Sequence, residues 1–195
     1  MKQFTIPMAM ADFIPVILFA LSMMIVFKDL NKRMNTLTKG LFGLGSILVT
    51  LAGCLKASYK LLYALGIGDF IWMNNQFFAN QAIGFVLAGV GLTMLVSKGT
   101  KTYGLIPTMA LVGLMVVGLG AMDASLAYIA NQLKQKKAMV LIIVSFFFSM
   151  AMGYLSSKNF DGAFMNWIAQ GINIAGQACL YVGCSLLHKA GLKNW

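Results

Sequence analysis

Seven side chains, Asn166, Gln170, Asn173, Gln177, Tyr181, Cys184 and His188, recur at steps of four and three through the last apolar stretch of the chain. Those steps put all seven on one face of a helix. Amides facing hydrocarbon are costly, so this face must meet protein, water or a bound solute. Asn and Gln can replace the hydration of a small solute or ion. The same groups also serve as interhelical glue, each bond contributing roughly 0.6 to 2 kcal/mol. Asn74 and Gln81, with Asn80 between them, place related amides in an earlier apolar stretch.

The acids are few and uniform: five Asp and no Glu. Asp12, Asp69 and Asp161 each stand where a helix is predicted to begin, and capping of free backbone N–H groups accounts for them. Asp29 falls in a basic interfacial loop. Asp123 follows some 20 apolar and small residues and lies toward the end of its helix, where the dipole opposes a negative charge. It needs a partner or a function, because an ionisable residue within the membrane is a functional-site candidate. Lys56 is predicted at comparable depth, so a Lys56–Asp123 pair is expected to bind or gate. The alternative for Lys56 is snorkelling to the interface beside Lys60, Tyr59 and Tyr63.

Other chemistry has no foothold. The chain lacks a phosphate loop, a Cys-x-x-Cys, a His-Glu-x-x-His and carboxylates paired at helical spacing. With one His and no Glu there are few general bases, so no enzyme, catalytic residue or cofactor is expected. The 15 Met form no cluster with ligand spacing, so no metal is expected. Cys54, Cys179 and Cys184 all lie in predicted spans and suggest no disulfide framework. The net charge of +10 is divided among loops rather than gathered in one patch. That pattern suits lipid headgroups, not nucleic acid.

The elements carrying these residues are membrane helices. Of the 195 residues 59% are hydrophobic and 10% charged, and mean hydropathy is +0.81. Soluble domains carry roughly 25% charged residues. A span takes roughly 20 apolar residues, and six segments qualify, at approximately 11–27, 40–59, 76–96, 105–129, 138–157 and 166–187. The loops between them are too short for a soluble domain. The first segment is interrupted by Pro7, Asp12 and Pro15 and is taken as a helix, not a signal peptide. The expectation is an all-α integral membrane protein of six transmembrane helices in the cell membrane.

An internal repeat organises the six. Asp69-Phe-Ile-Trp-Met-Asn74 recurs as Asp161-Gly-Ala-Phe-Met-Asn166, and at the same offset of 92 Ile14-Pro15 matches Ile106-Pro107 and Gly84, Gly91 and Leu95 match Gly176, Gly183 and Leu187. Three helices per copy is an odd number. Strict alternation would therefore make residues 1–97 and 98–195 inverted three-helix repeats, as in many secondary transporters. The glycine faces of the third and sixth helices are expected to cross near the two-fold axis. Loop lysines divide evenly between the faces and set no orientation.

These features suggest a transporter or channel for a small solute or ion. Its pathway would use Asp123, Lys56, Asn74, Gln81, Asn166, Gln170, Asn173, Gln177 and Tyr181, with His188 at the headgroups. Expected partners are membrane lipids and the solute, with a homo-oligomer or a partner membrane protein also compatible. The alternatives are a non-transporting accessory or assembly subunit, whose stripe and glycine faces dock on another protein, and a membrane receptor for a lipid or small molecule.

Overall fold

The computed structural model describes residues 4–96, 111–156 and 163–195. Among the described residues regular structure is wholly helical: α1 (Ile6–Ala11), α2 (Phe13–Leu30), α3 (Thr36–Ala64), α4 (Ile71–Val96), α5 (Leu111–Gln132), α6 (Lys136–Ser156), α7 (Ala163–Lys189) and a closing 3-10 turn, Leu192–Asn194. Among the described residues four helical stretches, Ile6–Leu30, Thr36–Ala64, Ile71–Val96 and Lys136–Leu155, are long and apolar enough to cross a membrane.

Local chemistry sets the boundaries. Pro15 has no N–H to offer the Ala11 carbonyl and its ring crowds that carbonyl. The helix therefore breaks at Asp12, dividing α1 from α2. The Asn35 side chain caps α3 by accepting from the Thr38 backbone N–H at 2.8 Å. Gly66 (φ 71°) and Gly191 (φ 88°) take the left-handed conformation just after α3 and α7, where glycine ends a helix at least cost.

The surface is apolar and the interior holds the polar groups. Ile17, Met24, Ile47, Val117, Val140 and Phe147 are exposed, whereas Ser22, Ser46, Asp123, Ser125, Ser145 and Gln170 are buried. Ser22, Ser46 and Ser125 return their hydroxyl protons to carbonyls four residues back, on Leu18, Phe42 and Ala121, each at 2.7 Å. That distribution matches a solvent of lipid, in which polar groups must be satisfied internally.

The long helices form a closed ring in chain order, with α7 returning against α2. Call side A the end at which α1 begins. The ring then contains a departure from alternation. Gly118 of α5 abuts Phe85 of α4, and Ser125 Oγ lies 3.4 Å from Thr93 Oγ1. Rising numbers on one helix meet rising numbers on the other, so α4 and α5 are parallel. An inverted second copy would require them antiparallel. In this structure α5, α6 and α7 run in the same directions as α2, α3 and α4. The link at 97–110, which carries Ile106-Pro107, lies outside the described residues, as does Asp161.

The glycine faces also pack differently from expectation. Gly84 and Gly91 of α4 meet Val49 and Phe42 of α3, while Gly176 and Gly183 of α7 meet Phe148 and Ile142 of α6. Each small-residue face serves the preceding helix of its own half, instead of joining α4 to α7. Between α3 and α4 the missing side chains let backbone approach backbone, whereas the α7 glycines make room for the Phe148 and Ile142 side chains of α6. Toward side B the interior is filled by Val26, Leu30, Phe42, Leu92, Met122, Leu126, Ile129, Ile142 and Leu187.

At Gly45 an added Cβ would meet the backbone of Ala88 and Gly84, which cannot rotate away; at Gly40, on the same helix, it would meet nothing within 4 Å. Gly45→Ala is expected to destabilise the protein by about 1 to 3 kcal/mol through overpacking. Gly40→Ala, which only gains helix propensity, is expected to leave stability unchanged or raise it slightly. Thermal unfolding of the detergent-purified variants checks both.

Candidate functional site

At side A the ring opens into a cavity of about 370 Å³ that reaches roughly to mid-bundle. That volume is close to a dozen water molecules at liquid density. Every long helix contributes to its wall. The first span supplies Phe4, Asp12 and Val16, α3 supplies Gly53, Lys56, Ala57 and Lys60, and α5 supplies Met115 and Leu119. From α4 come Asn74, Phe77, Phe78, Gln81 and Phe85, from α6 Ser149, Met152 and Gly153, and from α7 Asn166, Ala169, Gln170, Asn173 and Gln177.

The two halves line it at matched heights. Adding 92 to the five α4 positions gives the five α7 positions, and adding 96 to Gly53, Lys56 and Ala57 gives Ser149, Met152 and Gly153. Asn74 and Asn166 are the same residue at equivalent places, and Gln81 corresponds to Asn173.

Charge is held near the mouth. Lys60 Nζ lies 2.5 Å from Asp12 Oδ2, with both side chains about six-sevenths buried. Gln170 Nε2 donates to the other Asp12 oxygen and to the Met8 carbonyl, the latter at 2.6 Å. The Pro15-induced break turns Asp12 toward α3 and α7. It makes no side-chain cap bond, so the capping expected of it is replaced by this bridge between three helices. Asp69 accepts from the Tyr59 hydroxyl at 3.0 Å.

Lys56 points its ammonium at the Phe77 ring, 3.9 Å from the centroid, with Phe78 at 5.5 Å. Cation–π contact partly replaces lost hydration. The expected pair with Asp123 does not form. Asp123 lies on α5 between the residues that meet Gly89 and Thr93 of α4, whereas Lys56 meets Phe77. At 1.5 Å of rise per residue, that separates them by roughly 20 Å along the bundle. The expectation assumed that α5 ran toward side A, and its opposite direction carries Asp123 into the other half. There Asp123 is 3% exposed, lies within electrostatic reach of Cys184, and neither carboxyl oxygen has a hydrogen-bond partner among the described residues.

The α7 stripe is thus divided by depth. Asn166, Gln170, Asn173 and Gln177 reach the cavity together with Lys56, Asn74 and Gln81, while Tyr181 does not line it and Cys184 is buried in the apolar core. His188 Nδ1 lies 2.6 Å from Asp29 Oδ2, so the expected headgroup contact is joined by a tie between α7 and α2, and Asp29 is buried on α2 instead of belonging to a loop. Asp12, Lys60, Phe77 and Phe78 are among the wall residues that sequence reasoning missed. For Asp12 a signal was present, because Pro7 and Pro15 flank it and mark a broken helix with an inward-turned polar group.

Against this geometry, no family model, no curated protein and no solved structure matches the chain.

Breaking a buried ion pair by removing one partner costs about 3 to 5 kcal/mol, whereas replacing both charges with apolar groups costs much less. Asp12→Asn alone is therefore expected to lower stability by about 3 kcal/mol. The double variant Asp12→Leu with Lys60→Met should recover most of that loss, and a double-mutant cycle in detergent measures the difference.

Proposed function

We propose that the protein is a multi-pass membrane transporter for a small solute, built of two three-helix repeats, residues 1–97 and 98–195. The observation that carries this reading is the cavity itself, walled by all six long helices and ending at mid-bundle. A site at the bilayer midplane between two repeats is where alternating access requires one. Its volume lies within the range of small-molecule sites. Matched wall positions from the two halves give a pair of similar bodies that can rock against each other around the bound solute.

In this reading Asn74, Gln81, Asn166, Asn173 and Gln177 replace hydration and Lys56 supplies charge. The stripe continues toward side B through Tyr181 and Cys184 beside Asp123. Asp123 is then the polar group a solute meets when the closed half opens. The helices sit in lipid of the cell membrane, no catalytic step is involved, and energy comes from a gradient or a partner. The accessory-subunit alternative gains no specific observation, because the stripe turns inward rather than toward an outer docking face.

Purified protein in liposomes and nanodiscs tests this. Asn173→Leu is expected to reduce both solute binding and uptake at least tenfold, whereas Asp123→Asn should leave binding within twofold and cut uptake at least tenfold. Uptake unaffected by both variants overturns the pathway.

A further inference from the structure

The repeat builds a cavity with two similar walls, but the side chains at matched positions differ in kind. Lys56 on α3 faces the equivalent place of Met152 on α6, and Phe78 and Phe85 on α4 correspond to Gln170 and Gln177 on α7. Both walls carry amides, and beyond the shared ones the first offers a cation and aromatic faces and the second a thioether and two further amides. A frame of this kind suits a ligand whose two ends differ.

The unmet bonding capacity specifies those ends. Asp12 is occupied by Lys60 and Gln170. Among the described residues Lys56 has no carboxylate at ion-pair distance, and its ammonium rests against the Phe77 and Phe78 rings. Among the described residues the wall carries two lysines and one aspartate, one positive charge in excess. Across the cavity the amide oxygens Gln170 Oε1 and Gln177 Oε1 are buried without a hydrogen-bond partner, and the Gln170 side chain is 3% exposed. A buried acceptor left unpaired costs about 1 to 3 kcal/mol. The free cation calls for an anion, and the free acceptors call for an O–H or N–H donor. Phe85, Met115, Leu119 and Met152 offer nothing to an inorganic ion but pack against a short hydrocarbon.

Resting on the solute-pathway reading above, we infer that the cavity takes a small organic monocarboxylate that also carries a hydroxyl donor. Its carboxylate sits at Lys56 and its hydroxyl donates its one proton to the Gln177 amide oxygen. A cationic solute is repelled by the excess charge, and a neutral diol leaves Lys56 unpaired. A simple carboxylate without the hydroxyl leaves the Gln177 amide oxygen unsatisfied.

Isothermal titration of the full chain in nanodiscs with lactate, glycerate, propionate, propane-1,2-diol, ethanolamine and sulfate tests the assignment. Lactate and glycerate are expected to bind, propionate at least fivefold more weakly, and the diol, ethanolamine and sulfate not to compete. Lys56→Gln should weaken lactate at least tenfold and Lys56→Arg should restore most of it. Gln177→Leu should abolish the preference for lactate over propionate. If Lys56→Gln fails to fold, the Lys56→Arg affinity and the Gln177→Leu selectivity ratio still decide. Preferential binding of ethanolamine, the diol or sulfate, binding of none of the probes, or lactate binding indifferent to Lys56→Gln overturns the ligand class. Lactate binding without uptake into liposomes overturns transport and leaves the ligand class standing, while uptake of a cationic or neutral solute does the reverse.

Discussion

The architecture depends on backbone approaching backbone where glycine removes the side chain. Gly45 against Gly84 and Ala88, Gly91 against Phe42, and Gly118 against Phe85 draw neighbouring helices together from the middle of the bundle toward side B. Toward side A such contacts give way to bulky and polar residues, and the helices part. The cavity is the space that remains beyond this pinch. Its floor at Phe85 and Gln177 lies next to Gly84 and Gly176. Close packing in one half and binding space in the other thus arise from a single distribution of small residues along α3, α4 and α5.

That distribution also determines how charge is tolerated. Asp12 can remain in an apolar assembly because a proline-broken helix aims it at Lys60 and Gln170 of two other helices, so one carboxylate holds three segments at the mouth. At the opposite end Asp29 and His188 tie α2 to α7, and Arg33 donates to the Asn194 carbonyl at 2.5 Å. The first and last helices are therefore joined at both ends. This seam closes the ring, and it brings the α7 amides to the same height as Lys56 without any direct bond between them.

Much of this was legible in the sequence because hydropathy and periodicity report faces. The apolar stretches became helices, and the amides of α7 share one face turned inward. Depth and direction were less accessible. A step of three or four residues places Gln170 and Cys184 on the same stripe, yet one faces open space and the other the packed core, a difference set by the neighbouring helices. Strict alternation of spans set the expected direction of α5, and hydropathy has no term for chain direction. That one inference misplaced Asp123 and with it the proposed partner of Lys56. Asp12 was misread for a local reason: an acid near a helix start resembles a cap, and only the effect of Pro15 on the Ala11 carbonyl redirects it.

The parallel run of α4 and α5 also has an electrostatic result at long range. In a ring of six strictly alternating helices the peptide dipoles cancel in pairs. Here the first span and α4, α5 and α7 begin at side A, and only α3 and α6 end there. With about half an elementary charge at each terminus, the uncancelled pair leaves close to one positive charge at that face. Lipid surrounding the bundle screens this field far less than water would. The backbone alone, before any lysine is counted, thus makes the entrance of the cavity a region of positive potential.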